Sequence, residues 1–411
     1  YRLHRISGTS ALTKEVHFYA LASTEKEIIM ETIKGAYTSA QIFTTNNKNT
    51  AIDQYALAQL QMICDQESSA GCRIRVMPDV HPGKVGTIGL TMTIGTRIIP
   101  NLIGIDIGCG MTLAQIKEKK LEFQKLDTVI RDCVPSGFHI RTKAHRMAEE
   151  FDFNMLRCAG HIRTDKALLS LGSLGGGNHF IELDKDKAGN LYLVIHSGSR
   201  HLGKEVTEYY LKEGQRHLKE KGLNVPYEIT WLEGELMDDY LHDIQVVQQF
   251  ASLNREIILS ELVKGMKWKV LRSYECVHNY VDSSPEALAI FGSAMLRKGA
   301  ISAKVNEKVI IPINMRDGVI LGTGLGNTEW NCSAPHGAGR IMKREDVKNS
   351  FTVSSFKTEM KGVYSSCIGK DTLDEAPFAY RRLEDIAEVI SDTVTIDCII
   401  RPVYNFKAGG N

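Results

Sequence analysis

Nothing in the 411 residues approaches the run of about 20 apolar side chains that a membrane-spanning helix needs, so a helical membrane protein is excluded. Excess charge of either sign is also missing. Fifty Lys and Arg face 49 Asp and Glu, a formal net charge of +1. Any nucleic-acid binding must therefore come from local basic patches and not from a global field. There is no internal repeat, no low-complexity tract and no Pro/Gly/Ser-rich linker, and a single domain over 1–411 is expected. The n-region and h-region of a signal peptide are not visible at Tyr1. Because that residue is not Met, a short N-terminal piece is expected to be missing from the sequence. Nine cysteines, an odd number without regular spacing, argue against a disulfide framework. A reducing cytoplasm is the expected setting.

The patterning that is present is mixed. Apolar runs at 73–77 and 88–94 read as buried strands, with a helix near 53–66. The stretch 204–222 reads as a helix ending on a glycine cap. Leu236, Tyr240, Ile244, Val247, Ala251 and Ile258 recur at helical spacing within a longer helix over 235–265. After Val270 strand-like runs return, followed by a helix near 383–391 and a last strand near 395–406. The fold class is α+β, with mixed or antiparallel sheets, surrounding helices and a helical excursion at about 204–265. Regular βαβ alternation is absent.

Five polar features need a reason. In GIDIGCGM, 104–111, Asp106 and Cys109 would point to opposite faces of a straight strand, and Gly108 lets the chain fold back so that both face one point. The pair suits a divalent ion such as Mn²⁺ or Zn²⁺, or is a buried cysteine beside a turn-forming aspartate. The run 174–200 reads as a β-hairpin with its turn centred near Lys187 and Ala188. That centre sets His179 opposite His196, with Cβ atoms about 5 Å apart. The two are metal ligands or satisfied core histidines. His278, in ECVHNY, is by itself structural. His336 is followed by Gly337, Ala338, Gly339 and then Arg340. Such small neighbours let a bulky ligand approach the ring and expose backbone N–H groups to anions. If the segment is helical, Arg340, Lys343, Arg344 and Lys348 fall on one face, a stripe suited to phosphates or to solvent. Asp79 and His81 share one side of an extended strand, orienting a ligand or making a turn. His17, His145, His217 and His242 have no evident partner.

Taken together, MPDVHPG at 77–83, GIDIGCGM at 104–111, GGGNHFIE at 175–182, HSGSR at 196–200, FASLNR at 250–255, HNY at 278–280, RKGA at 297–300, GLGN at 324–327 and HGAGR at 336–340 resemble the RtcB family of RNA-splicing ligases. They stand in family order over about 73–407. The resemblance implies two Mn²⁺ ions held by Asp106, Cys109, His179, His196 and His278, with the Cys109 thiolate bridging. It implies GTP as co-substrate and a covalent GMP on His336. Nucleotide contacts would come from Asn178, His179, Phe180, Ile181, Glu182, His278, Asn279, Pro312, Asn314, Met315, Gly337, Ala338 and Gly339, with Tyr380 and Lys407 near the guanine. Asp79 would support catalysis, and Arg200, Lys298, Arg340 and Arg344 would hold RNA phosphates. The implied partners are RNA with a 3′-phosphate or 2′,3′-cyclic phosphate, RNA with a 5′-hydroxyl, and an archease-like activator. A cytoplasmic monomer that touches no membrane is expected. Three departures stand out. Val277 replaces a common histidine, Pro312-Ile313-Asn314-Met315 replaces the usual Pro-Gly-Ser-Met, and Ala334-Pro335 replaces a common Cys-Ser pair. A metal-dependent phosphoesterase that does not use His336 covalently is the alternative.

Overall fold

The computed structural model describes residues 29–44 and 51–408; His17 lies outside them. A six-stranded sheet runs in the order Ile29–Lys34, Ser39–Thr44, Ile74–His81, Ile88–Thr93, Met295–Lys298 and Asn279–Asp282. Every pair in it is antiparallel except Ser39–Thr44 with Ile74–His81. A seven-stranded antiparallel sheet runs Val270–Val277, Gly110–Ile116, Leu191–Ser197, Phe180–Lys185, Val394–Phe406, Gly318–Gly324 and Lys308–Asn314. Its two edge strands, Val270–Val277 and Lys308–Asn314, touch. The sheet therefore curls into a half-barrel, as expected of a mixed α+β fold.

The strand Leu191–Ser197 is buried along its whole length because both of its faces are covered. Leu191, Leu193 and Ile195 pack outward against Ile258, Leu262 and Met266. Tyr192 and Val194 face the barrel interior with Met111, Leu113, Val309 and Ile311. By the same alternation His196 sits on the inner face, at one end of the barrel.

The outer cover is the helix Gly234–Met266, which ends on Lys267 in the left-handed conformation. It matches the expected span to within one residue at each end. Its partner begins earlier than the periodicity implied and runs Arg200–Glu220. Among the described residues no helix is long and apolar enough to cross a membrane.

Two polar side chains of the long helix reach under the strand ends. Arg255, wholly buried, donates through Nη1 to Gly108 O at 2.8 Å and Ser197 O at 2.9 Å, and through Nη2 to Glu275 Oε2 at 2.7 Å. Asn254 accepts from Gly172 N at 2.8 Å and donates to Ser173 O at 3.1 Å. One turn of helix thus holds the backbone beside Cys109, beside His196 and before His179. Arg255→Met should lower unfolding stability by about 3–5 kcal/mol, because it strands Glu275 and two buried carbonyls. Denaturant melting would measure this, and a loss below 1 kcal/mol would refute the role.

Candidate metal centre and nucleotide cleft

Each ligand arrives by a different local device. Gly108 has φ +73°, and a Cβ there would meet the Cβ of Ala251 at 2.8 Å. The chain therefore folds back against the long helix, and Asp106 and Cys109 converge as anticipated. His278 occupies the single residue between the strands Val270–Val277 and Asn279–Asp282, where the chain leaves one sheet for the other. Its N–H donates to Cys109 O at 2.9 Å, and its carbonyl accepts from Gly299 N at 2.7 Å.

The hairpin holds, but its register differs by one residue from the expected one. Lys185 pairs with Leu191 across a five-residue connection, so Phe180, not His179, lies opposite His196. His179 instead caps the strand's mouth after the glycine loop. The two rings still lie 5.1 Å apart, centroid to centroid.

The five ligand atoms meet. Cys109 Sγ lies 3.4 Å from His179 Nε2 and 3.3 Å from His196 Nε2. His179 Nε2 is 3.0 Å from Asp106 Oδ2, and His196 Nε2 is 3.3 Å from His278 Nε2. Two triads result, Asp106/Cys109/His179 and Cys109/His196/His278, each able to hold a metal ion. Cys109 belongs to both.

Hydrogen bonding tests the fit. His179 Nδ1 lies 2.9 Å from Leu174 O, and His196 Nδ1 lies 3.1 Å from Asn178 O. A carbonyl only accepts, so both Nδ1 atoms carry a proton, and with a cation bound both Nε2 atoms would turn their lone pairs to it. Burial, reinforced by neighbouring imidazoles, pushes His196 and His278 well below their ordinary range and keeps them neutral. Burial opposes ionisation of Asp106, but His179 outweighs it and holds the carboxyl well below the usual range. Lone pairs from nitrogen, sulfur and oxygen thus converge in a nearly dry site, an arrangement suited to a cation.

His336 stands directly beside this centre. The short strand Ser333–Pro335 pairs with Ala300–Ser302 and delivers it there. Its ring lies 4.9 Å from that of His278. Nδ1 donates to Oδ2 of the fully buried Asp79 at 2.8 Å. In the neutral ring the lone pair is then on Nε2. Gly339, at φ +71°, packs on Asp79 O, where a Cβ would come within 2.3 Å. The Asp79 backbone carbonyl also accepts from His81 Nδ1 at 2.9 Å. His81 is pushed down to about 4 by burial.

His336 opens into a cleft. Asn178, Phe180, Glu182, Pro312, Asn314, Met315, Gly337, Ala338, Gly339, Arg340, Arg344, Tyr380 and Lys407 all line it. Burial raises Glu182 to about 7, and Asn405 Nδ2 donates to it at 2.6 Å.

Several expected roles change. Ile181 faces the opposite side of the strand and packs with Leu193 and Ile258, so its side chain does not reach the cleft. Asn279 does not line the cleft; its Oδ1 accepts from Gly299 N at 2.9 Å. Lys298 is buried and donates to Val85 O and Asn101 O, both at 2.9 Å, with burial lowering it to about 8. Its ammonium is thus committed to backbone rather than offered to phosphate. The basic stripe is not one helical face either. Arg340 precedes the helix Arg344–Ser350, and Arg340, Arg344 and Lys348 pair with Asp374 and Glu375. The Asn314 side chain is spent on its own turn, accepting from Arg316 N and Asp317 N.

Sequence reasoning missed Glu375. This buried acid accepts from Tyr380 Oη at 2.6 Å and pairs with Lys407, Arg340 and Arg344. Burial resists its ionisation, but these cations hold it down at about 2. It has no local signal, because the cations that hold it, Arg340, Arg344 and Lys407, are 31–35 residues away in sequence.

A half-barrel with two overlapping candidate metal triads at its mouth, facing a histidine in a cleft, has the makings of a metal-dependent enzyme. Comparison with known proteins narrows this. Residues 59–408 match the model of the family described as tRNA-splicing ligase RtcB, and the chain belongs to that family of RNA ligases. RNA-splicing ligase RtcB1 of Escherichia coli is 31% identical over 376 residues, covering 81% of this chain and 90% of that protein. RNA-splicing ligase RtcB of Escherichia coli K12 is 31% identical over 373 residues, with the same coverage of each. tRNA-splicing ligase RtcB of Pyrobaculum aerophilum is 26% identical over 403 residues, covering 76% and 82%.

Burial, with the Asp106 carboxylate second, pushes the Cys109 thiol well above its ordinary value. Without metal it is protonated at neutral pH, and a thiolate ligand must lose that proton. Loading with Mn²⁺ should therefore release protons and tighten as pH rises. Calorimetry in two buffers of different ionisation enthalpy would read the release. Cys109→Ala should lose both ions by elemental analysis; retention of one would show that the thiol is not shared.

Proposed function

We propose that the chain is a GTP- and Mn²⁺-dependent ligase that joins RNA 3′-phosphate or 2′,3′-cyclic phosphate ends to 5′-hydroxyl ends, in tRNA splicing or RNA repair, through a covalent GMP on His336. The observation that carries this is the Asp79–His336 pair. A buried carboxylate holds the Nδ1 proton and leaves Nε2 as a nucleophile beside the metal ligands and inside the cleft.

Nε2 attacks the α-phosphorus of GTP, a P–N bond forms, and pyrophosphate leaves. As the ring gains positive charge, Asp79 stabilises it without taking the proton, the role a carboxylate plays behind a catalytic imidazole. Bound at Asp106, Cys109, His179, His196 and His278, Mn²⁺ would neutralise phosphate charge in the transition state. The RNA 3′-phosphate then takes GMP from His336. A cyclic end is first opened by water. The 5′-hydroxyl of the second RNA finally attacks the activated phosphate, and GMP leaves. Tyr380 and Lys407 are assigned to the guanine, and Asn178 and Glu182 to the nucleotide. Arg200 is assigned to RNA phosphate. The setting is the cytoplasm, with an archease-like protein as activator.

A phosphoesterase acting on RNA ends without guanylylation is the second reading. It is favoured by the altered 312–315 wall, where the Asn314 amide is already bonded within its turn.

GTP labelled at the α-phosphate, incubated with protein and Mn²⁺, should leave acid-labile label on the wild type in a denaturing gel and none on His336→Ala. Asp79→Asn should slow labelling about 100-fold or more. An unlabelled wild type with Mn²⁺ shown to be bound would reject the covalent route and favour the phosphoesterase.

A further inference from the structure

A second groove of about 970 Å³ shares Lys407 with the His336 cleft. One wall is the loop that follows the helix Phe123–Cys133. This loop is stitched to the glycine loop that precedes His179. Leu174 N donates to Pro135 O and Gly137 N donates to Gly175 O, both at 2.8 Å. Arg200 closes the seam, donating from Nη2 to Gly137 O at 3.0 Å and from Nε to Ser173 Oγ at 3.1 Å. A Cβ on Gly175 would come within 2.2 Å of Arg200 Nη1 and 2.7 Å of His179 Nδ1. The guanidinium and the metal-ligand ring therefore lie across a single glycine. Arg200 also has φ +54°, a conformation that non-glycine residues rarely adopt.

Next in the loop is Phe138, 77% exposed, the highest value among the exposed large hydrophobic residues described. None of the other exposed large hydrophobics lines this groove. Of the other apolar lining residues, Phe406 is buried and Cys367 and Ile368 are half-buried, so Phe138 is the bare aromatic surface of the groove. Arg131, His139, Asp371 and Lys407 share the lining, with Arg131 paired to Asp127 and Lys407 to Glu375. A bare aromatic face, one residue from the carbonyl that Arg200 holds beside a metal ligand, has the chemistry of a single-stranded nucleic-acid end site.

We infer that this groove seats the 3′-terminal nucleotide of the RNA, with its base stacked on Phe138 and its 3′-phosphate directed past Arg200 to the metal ligands. The inference rests on the ligase reading and adds to it the place where the phosphate-bearing strand lies. Stacking on a π-face tolerates any base, so this end is held without regard to sequence.

The test uses short RNAs carrying a 3′-phosphate and 2-aminopurine either at the terminal nucleotide or five nucleotides inward, titrated with full-length protein in Mn²⁺. The terminal probe should be quenched on binding and the inner one should not. Phe138→Ala should abolish the quenching and weaken binding about tenfold or more, while Phe138→Trp restores both. An unchanged thermal midpoint would show that the alanine variant is folded. Quenching and affinity in Phe138→Ala equal to wild type, or wild-type binding without terminal quenching, would overturn the inference. The α-labelled GTP assay on the wild type separates the two failures. Label without Phe138 dependence leaves the ligase standing and removes only the groove; absence of label removes the ligase itself.

Discussion

Lone pairs that face one another in a dry interior repel, and this chain assembles five such ligands at one point. The Nδ1 protons of His179 and His196 are fixed by backbone carbonyls. Their Nε2 atoms then face the Cys109 sulfur and the third imidazole with fewer protons to share than lone pairs. A scaffold that holds this arrangement has to be rigid, and the surrounding structure is organised to make it so. Arg255 and Asn254 pin the backbone at three of the ligand-bearing segments from one turn of one helix. The fourth, His278, is fixed by backbone bonds at the crossing from one sheet to the other. A cation relieves the repulsion, so the site's affinity for metal and the fold's tolerance of the site have the same origin.

His336 depends on that centre and on a second electrostatic arrangement. Asp79 is wholly buried yet offers one oxygen to the imidazole. Across the cleft Glu375 gathers Lys407, Arg340, Arg344 and the Tyr380 hydroxyl. The cleft therefore presents cations whose charge is already balanced, rather than an open positive field. This agrees with a chain whose net charge is close to zero. It also means that an incoming anion would have to compete for arginine and lysine donors already engaged. The recognition groups are preorganised, and binding exchanges one set of charge-assisted bonds for another.

Sequence by itself determined the chemical inventory. The fold-back at Gly108, the long helix at 234–266, the hairpin and the small residues after His336 are all local matters of backbone freedom and periodicity, and each was legible. The motif order carried the family. Tertiary structure decided what depends on remote segments meeting. His278 looked structural until the sheet crossing brought it to His196. The hairpin slipped by one residue because the width of its turn, which spacing alone does not fix, sets the register. Lys298 and the Arg340–Lys348 stripe looked free for phosphate because a sequence does not reveal which charges are already paired. Glu375 had no signal at all, since a buried acid is explained only by the cations around it, and those come from elsewhere in the chain.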